Sequence, residues 1–266
     1  MKAIRLGSKI LITLIRDRIF YPGRLVMDTA SIMARCGVLL VLYWYVYQMN
    51  DGVINNTTFE VVAWSMFFYF TFSVFRLRDI ARLIMQDVQS GNVEVLFSKP
   101  VSYLYYRMCW QVGLGLYSLI FISIIGTTLL ALIVGLPETV FIGSFIPSFL
   151  TVVVLGTVLS LFLYSLVGLL AFWIEDVNPV HWIVDKFVMI LGGSYLPIGL
   201  FPDFMYKVAV YSPFGATQFI THTVYEDWST GWLFKVGLQL FWIIILALIT
   251  FLVFIKAKEK VSVNGG

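Results

Sequence analysis

"MCWQVGLGLYSLIFISIIGTTLLALIVGLP", residues 108–137, contains no Asp, Glu, Lys or Arg. A helix needs about 20 mostly apolar residues to cross the ~30 Å hydrocarbon core of a bilayer, and this run is long enough. Residues 139–174 are uncharged as well. Working outward, Leu25–Tyr47 carries only Asp28 and Arg35, and Val53–Phe75 only Glu60. Phe187–Pro202 and Val236–Ile255 are bare, the former short and rich in Gly and Pro. The bulk composition agrees: 60% of the 266 residues are hydrophobic and 12% are charged, where a soluble domain has roughly 25% charged residues. The mean hydropathy is +0.90. These runs predict an all-α polytopic membrane protein, one transmembrane domain over residues 1–266 with six transmembrane helices.

The basic residues set the expected orientation. Lys2, Arg5, Lys9, Arg16, Arg18 and Arg24 precede the first run, and Arg76, Arg78, Arg82, Lys99 and Arg107 separate the second from the third. Lys186 lies between the fourth and fifth, and Lys256, Lys258 and Lys260 follow the last. The alternate connections hold only Lys207 and Lys235. By the positive-inside rule both termini are expected in the cytoplasm. Val208–Tyr225 is also uncharged, but Pro213, Gly215, Gln218 and His222 make it a poor lipid-facing helix. It reads as outer or interfacial structure.

Before the first crossing, residues 1–24 alternate basic groups with Ile4, Ile10, Leu11, Leu14 and Ile15, the pattern of an amphipathic helix lying in the membrane interface. Tyr21-Pro22-Gly23 breaks it. The stretch does not read as a signal peptide, because charges interrupt it and no small-residue cleavage site follows. Residues 76–107 predict two short amphipathic helices joined by a turn at Ser90-Gly91-Asn92 and ended by Lys99-Pro100. They read either as an ordinary interfacial loop or as a docking element for a cytoplasmic partner. Residues 174–186, "IEDVNPVHWIVDK", read as a second, acidic cytoplasmic loop with a turn at Asn178-Pro179. Gly192, Gly193, Pro197 and Pro202 cannot belong to one straight helix. Either the fifth crossing is broken there or it is short and followed by an outer loop. Broken backbone at membrane depth must be covered by protein or water.

Asp28 and Arg35 share a face of the first crossing. Asp28 fits the interface; Arg35 can snorkel to headgroups, pair with another subunit or line a pathway. Gly113, Gly115, Gly126, Gly156, Ser160 and Gly168 offer small faces for close helix packing. No GxxxxGK[ST] loop, HExxH, GxSxG, Cys/His cluster or potassium-type filter is present in the sequence. No catalytic residue, metal site or nucleic-acid surface is therefore expected. Cys36 and Cys109 read as small buried hydrophobes.

Three segments taken in order, "SGNVEVLFSKPVS" (90–102), "FWIEDVNP" (172–179) and "LGGSYLPIGLFPDFMYKVAVYSPFGATQF" (191–219), resemble the membrane subunits of ABC-2 type transporters. The similarity is to their six-span permease group and extends over nearly the whole chain. The resemblance implies a permease half of a bacterial ABC exporter in the cytoplasmic membrane. It would pair with a second permease, identical or paralogous, and with a dimer of cytoplasmic ATPases holding ATP and Mg2+, with no cofactor on this chain. Residues 1–24 would be the elbow helix, 76–107 the main coupling loop, 174–186 a minor one, and 187–235 a broken span with re-entrant outer helices. Asp87, Glu94 and Lys99 would make polar contacts to the ATPase. Val95, Leu96 and Phe97 would fill its groove, flanked by Gly91 and Pro100, with Glu175 and Asp176 on the minor loop. The competing expectations are a secondary transporter or channel working alone and a membrane scaffold that transports nothing.

Overall fold

Peptide groups in hydrocarbon must be bonded within their own segment, and the apolar runs accordingly form helices. The computed structural model describes residues 2–20 and 23–264. Tyr21 and Pro22 of the expected break, and the side chain of Asp28, lie outside the described residues. The chain forms α1 (Lys2–Phe20), α2 (Gly23–Gln48), a hairpin of β1 (Val53–Ile54) and β2 (Thr57–Thr58), and α3 (Phe59–Ser73). Next come α4 (Ile80–Gln89), α5 (Asn92–Phe97), α6 (Tyr103–Val134) and α7 (Phe145–Leu169). Last are α8 (Asn178–Leu191), α9 (Asp203–Tyr211), α10 (Pro213–Ala216) and α11 (Trp228–Asn264). The hairpin pairs Val53 with Thr58 and Ile54 with Thr57. Asn55 and Asn56 between them are both left-handed, at φ 49° and 56°, as the tightest hairpin turn requires.

Five stretches are long and apolar enough to cross a membrane: Thr29–Gln48, Phe59–Gln89, Tyr103–Val134, Phe145–Phe172 and Trp228–Lys260. The protein is thus a mostly helical, polytopic membrane protein. The expected run Phe187–Pro202 supplies no helix of that length. The helix there, α8, has 14 residues, about 21 Å of rise, and it starts well before Phe187. Most of 174–186 is therefore helix, not loop. The reason is Pro179: in the first helical turn its missing N–H bonds nothing anyway, and its fixed φ suits a helix start. Asn178-Pro179, which reads as a turn, opens α8.

The second crossing is not one straight helix either. After α3 the chain makes a left-handed step at Arg76, φ 52°, and a 3-10 turn over Leu77–Asp79 before α4 begins. Every side chain from Val62 to Phe72 is buried. A helix apolar all round belongs in the interior, and α3 is the centre of the bundle. α2, α6 and α11 are largely exposed along their apolar windows, as lipid-facing helices are. α11 lies along α7, α1 along α6, and α4 against α7.

Small residues set these approaches. A Cβ on Gly126 would fall 2.5 Å from the Phe67 ring, and one on Gly156 2.8 Å from the Thr217 carbonyl. The latter contact shows where the segment after α8 goes. Gly192 closes α8, Gly193 is left-handed at φ +84°, Pro197 leads a 3-10 turn over Ile198–Leu200, and Pro202 leads α9. The chain then folds back, and all of residues 215–224 are buried. This stretch, expected as outer or interfacial structure, is thus enclosed by the rest of the chain. Polar side chains from the long helices satisfy its irregular backbone. Ser65 Oγ donates to the Thr221 carbonyl at 2.9 Å, and Gln239 Nε2 to the Ala216 carbonyl at 2.8 Å and that of Val152 at 3.3 Å. Gln239→Leu is expected to lose about 1 kcal/mol, read as a lower melting temperature in detergent. A variant melting at the wild-type temperature would show these bonds to be incidental.

Candidate functional site

The left-handed Arg76 turns the chain so that α4 runs over the end of α7. Its residues Ile80, Ala81, Ile84 and Met85 are buried, the i, i+1, i+4, i+5 stripe of a one-sided helix. Gly168 of α7 permits the contact, since a Cβ there would lie 2.9 Å from both Ala81 Cα and Ile84 Cβ.

Asp87 ends this buried face. Its side chain is 6% exposed and that of its ion-pair partner Arg107 is 14% exposed. Arg107 Nε donates to Asp87 Oδ2 at 2.6 Å and Arg107 Nη2 to Oδ1, while Tyr103 Oη donates to Oδ2 at 2.7 Å. The carboxylate therefore receives three donors from the first turns of α6. Asp87 does not offer the outward contact that the resemblance implies. Burial with a two-pronged guanidinium makes it the fastener between α4 and α6.

Gly91, left-handed at φ 72°, reverses the chain into α5. At 100° per residue, Val93, Leu96 and Phe97 share one face of this six-residue helix while Glu94 and Val95 share the other. Val93 and Leu96 are buried. The Phe97 ring meets Tyr103 edge-on at 5.4 Å, stacks toward Phe172 at 6.4 Å and meets Phe254 edge-on at 5.7 Å. Leu96 is buried and the half-buried Phe97 packs against the chain's own core, so the groove-filling role that the resemblance implies is left chiefly to Val95, a second correction. Three apolar residues in a row do not reveal which one faces out. Gly91, Glu94, Lys99 and Pro100 are exposed, and Val95 is 63% exposed. α5 is consequently a short helix seated on the ends of α6, α7 and α11 with an acidic and apolar outer face.

The turn after α7 adjoins it. Gln89 Nε2 donates to the Glu175 carbonyl at 2.7 Å, and Arg82 Nε to Asn178 Oδ1 at 3.3 Å. Asp176 Oδ1 accepts the backbone N–H of Asn178 at 2.9 Å and its side-chain amide at 2.6 Å, fixing the start of α8. Glu175 and Asp176 remain exposed, with Trp173 and Ile174 beside them. The two segments that the sequence separates by some 80 residues form one surface.

Sequence reasoning missed a second polar group behind this surface. Arg78 pairs with Asp185 of α8 at 3.1 Å, Tyr164 of α7 donates to Asp185 Oδ1 at 3.2 Å, and His181 Nε2 lies 3.2 Å from the Arg78 carbonyl. The sequence carries only a partial signal: Asp185 stands beside Lys186 at the edge of an apolar run, and nothing local points to Arg78 as its partner. Arg35 is exposed on α2 and enters none of the ion pairs formed among the described residues. Gly192, Gly193, Pro197 and Pro202 lie together at the break after α8, away from α5 in the chain path. Among the described residues no three His, Cys, Asp or Glu side chains are grouped to hold a metal ion. No family model matches this sequence, and no curated protein matches it either.

Proposed function

We propose that the chain is the membrane-spanning permease subunit of an ATP-driven exporter of the ABC-2 type. Two permeases would form the pathway, and a separate P-loop ATPase dimer would bind ATP and Mg2+ on the cytoplasmic side, where the Lys and Arg distribution puts both termini. The six-crossing topology belongs to this reading, with α8 and the folded-back segment after it completing the fifth passage as a broken span.

One observation carries the proposal: α5 presents Glu94 and Val95 outward while Phe97 on its opposite face touches the ends of three crossings. A partner pulling on that face moves α6, α7 and α11 together. The Asp87–Arg107 pair and the close seat of α4 on Gly168 keep the lever from flexing locally. ATP-driven closure of the partner would bias the bundle between two packed arrangements. The direct contacts are assigned to Gly91 just before α5, to Glu94 and Val95 on it, and to Glu175 and Asp176 on the adjoining turn.

The test asks first whether a neighbouring reading frame encodes a P-loop ATPase and then co-expresses the chain with that protein. Val95→Asp and Glu94→Lys are both outward-facing changes that leave the fold intact. Each is expected to lower permease-dependent ATPase stimulation about ten-fold, equivalent to about 1.4 kcal/mol of docking energy, and to weaken co-purification. Unchanged co-purification and stimulation in both variants would sink the proposal, as would labelling of a cysteine at position 94 from the outside of intact cells.

A further inference from the structure

Two cavities meet at the junction of α5 and α6. The larger, about 610 Å3, is a cleft walled by Leu104 and Met108 of α6, Phe162 of α7, and Phe251 and Phe254 of α11. The other, about 260 Å3, is a polar basin reached by Lys99, Pro100, Ser102 and Lys258. Ser102 and Lys258 line both, so an apolar cleft opens directly under a basic basin. We propose that this bipartite cavity binds one anionic phospholipid, with its phosphate between Lys99 and Lys258 and an acyl chain in the cleft.

The basin is built for an anion. Lys258 Nζ lies 4.8 Å from the Phe254 ring centroid and 5.9 Å from that of Phe97, and Lys99 Nζ lies 5.3 Å from that of Tyr106. These aromatic faces hold both ammonium groups over the site. Neither lysine enters an ion pair formed among the described residues. α6 starts at the same place, and no side chain caps its first amides. The positive end of a 32-residue helix therefore adds to the two lysines.

The cleft is built for a chain. Along α11 it runs from Ala247 to Lys258, about 16 Å of helical rise, which is about half the ~30 Å apolar core. One acyl chain descending from a headgroup spans that depth. Free phosphate would use the basin and leave the cleft empty; a neutral lipid would fill the cleft and leave the lysines without an anion. The proposal requires a membrane protein and nothing more, so it stands or falls independently of any ATPase.

The full-length chain, stripped of lipid in a neutral maltoside detergent, is titrated with phosphatidylglycerol and with phosphatidylcholine of the same acyl chains. Binding is followed by native mass spectrometry and by melting temperature. Wild type is expected to bind phosphatidylglycerol about 30-fold more tightly, from two lysines at the headgroup. The Lys99→Gln/Lys258→Gln variant is expected to lose that preference and the Lys99→Arg/Lys258→Arg variant to retain it. Ala247→Trp, which fills the cleft, is expected to weaken both lipids. Equal affinities in wild type, or a preference that survives the glutamine pair, would overturn the proposal. So would phosphatidylglycerol binding unchanged by Ala247→Trp, or inorganic phosphate raising the melting temperature as much as the lipid does. If the double glutamine variant does not fold, the exposed Lys99→Gln alone decides, with about a five-fold loss of preference expected.

Discussion

Asp87→Ala is expected to destabilise the purified protein by about 3–5 kcal/mol, the cost of stranding a buried charge. Arg107 would keep its positive charge at 14% side-chain exposure with its carboxylate gone, and the Tyr103 hydroxyl would lose its acceptor. Arg107→Ala is expected to cost a similar amount through the orphaned Asp87. The pair Asp87→Leu/Arg107→Met is expected to melt closer to wild type than either single alanine variant, because replacing both charges with apolar groups leaves nothing unpaired. Thermal melting in detergent measures the order, and protease cleavage within 89–102 reports whether α5 has come away. A single variant within about 1 kcal/mol of wild type would mean that water reaches the pair, leaving it no stronger than a surface bridge. It would then be no fastener.

Gly168→Leu is expected to cost about 3 kcal/mol, the upper end for overpacking a close helix contact. The added Cβ alone would sit 2.9 Å from Ala81 Cα and 3.0 Å from the Ala81 carbonyl oxygen. These are backbone atoms of α4, so no side-chain rotation relieves the clash and α4 must lift from α7. Gly168→Ala is expected to show the same effect at smaller size. Melting temperatures of wild type and the two variants in one detergent test the series. Leucine tolerated as well as glycine would show that α4 does not bear on α7 in solution.

The membrane class was legible because absence of charge over 20 or more residues has few other physical meanings. Residues 108–137 and 139–174 gave it directly, and the breaks at Gly91 and at Gly192-Gly193 were legible from backbone chemistry. What stayed hidden is what depends on partners remote in sequence. Nothing local to Asp87 says that Arg107 and Tyr103 will close on it, so it reads as one more surface acid. Residues 215–224 look too polar for an interior. The hydroxyls of Thr217, Thr221 and Thr223 bond carbonyls three residues back, but the carbonyls of Ala216 and Thr221 find their donors in Gln239 and Ser65, 23 and 156 residues away. Asn178-Pro179 is ambiguous by nature, since one dipeptide serves to end a turn or to begin a helix.

The seat of Phe97 also bears on biogenesis. Its ring rests on Phe254, and Lys258 lies over both rings, so α5 is held by residues translated more than 150 positions after it. While the ribosome is still making α11, the 92–97 segment has no complete resting place. A nascent or truncated product therefore does not display the finished outer face, and assembly with other subunits awaits a whole chain.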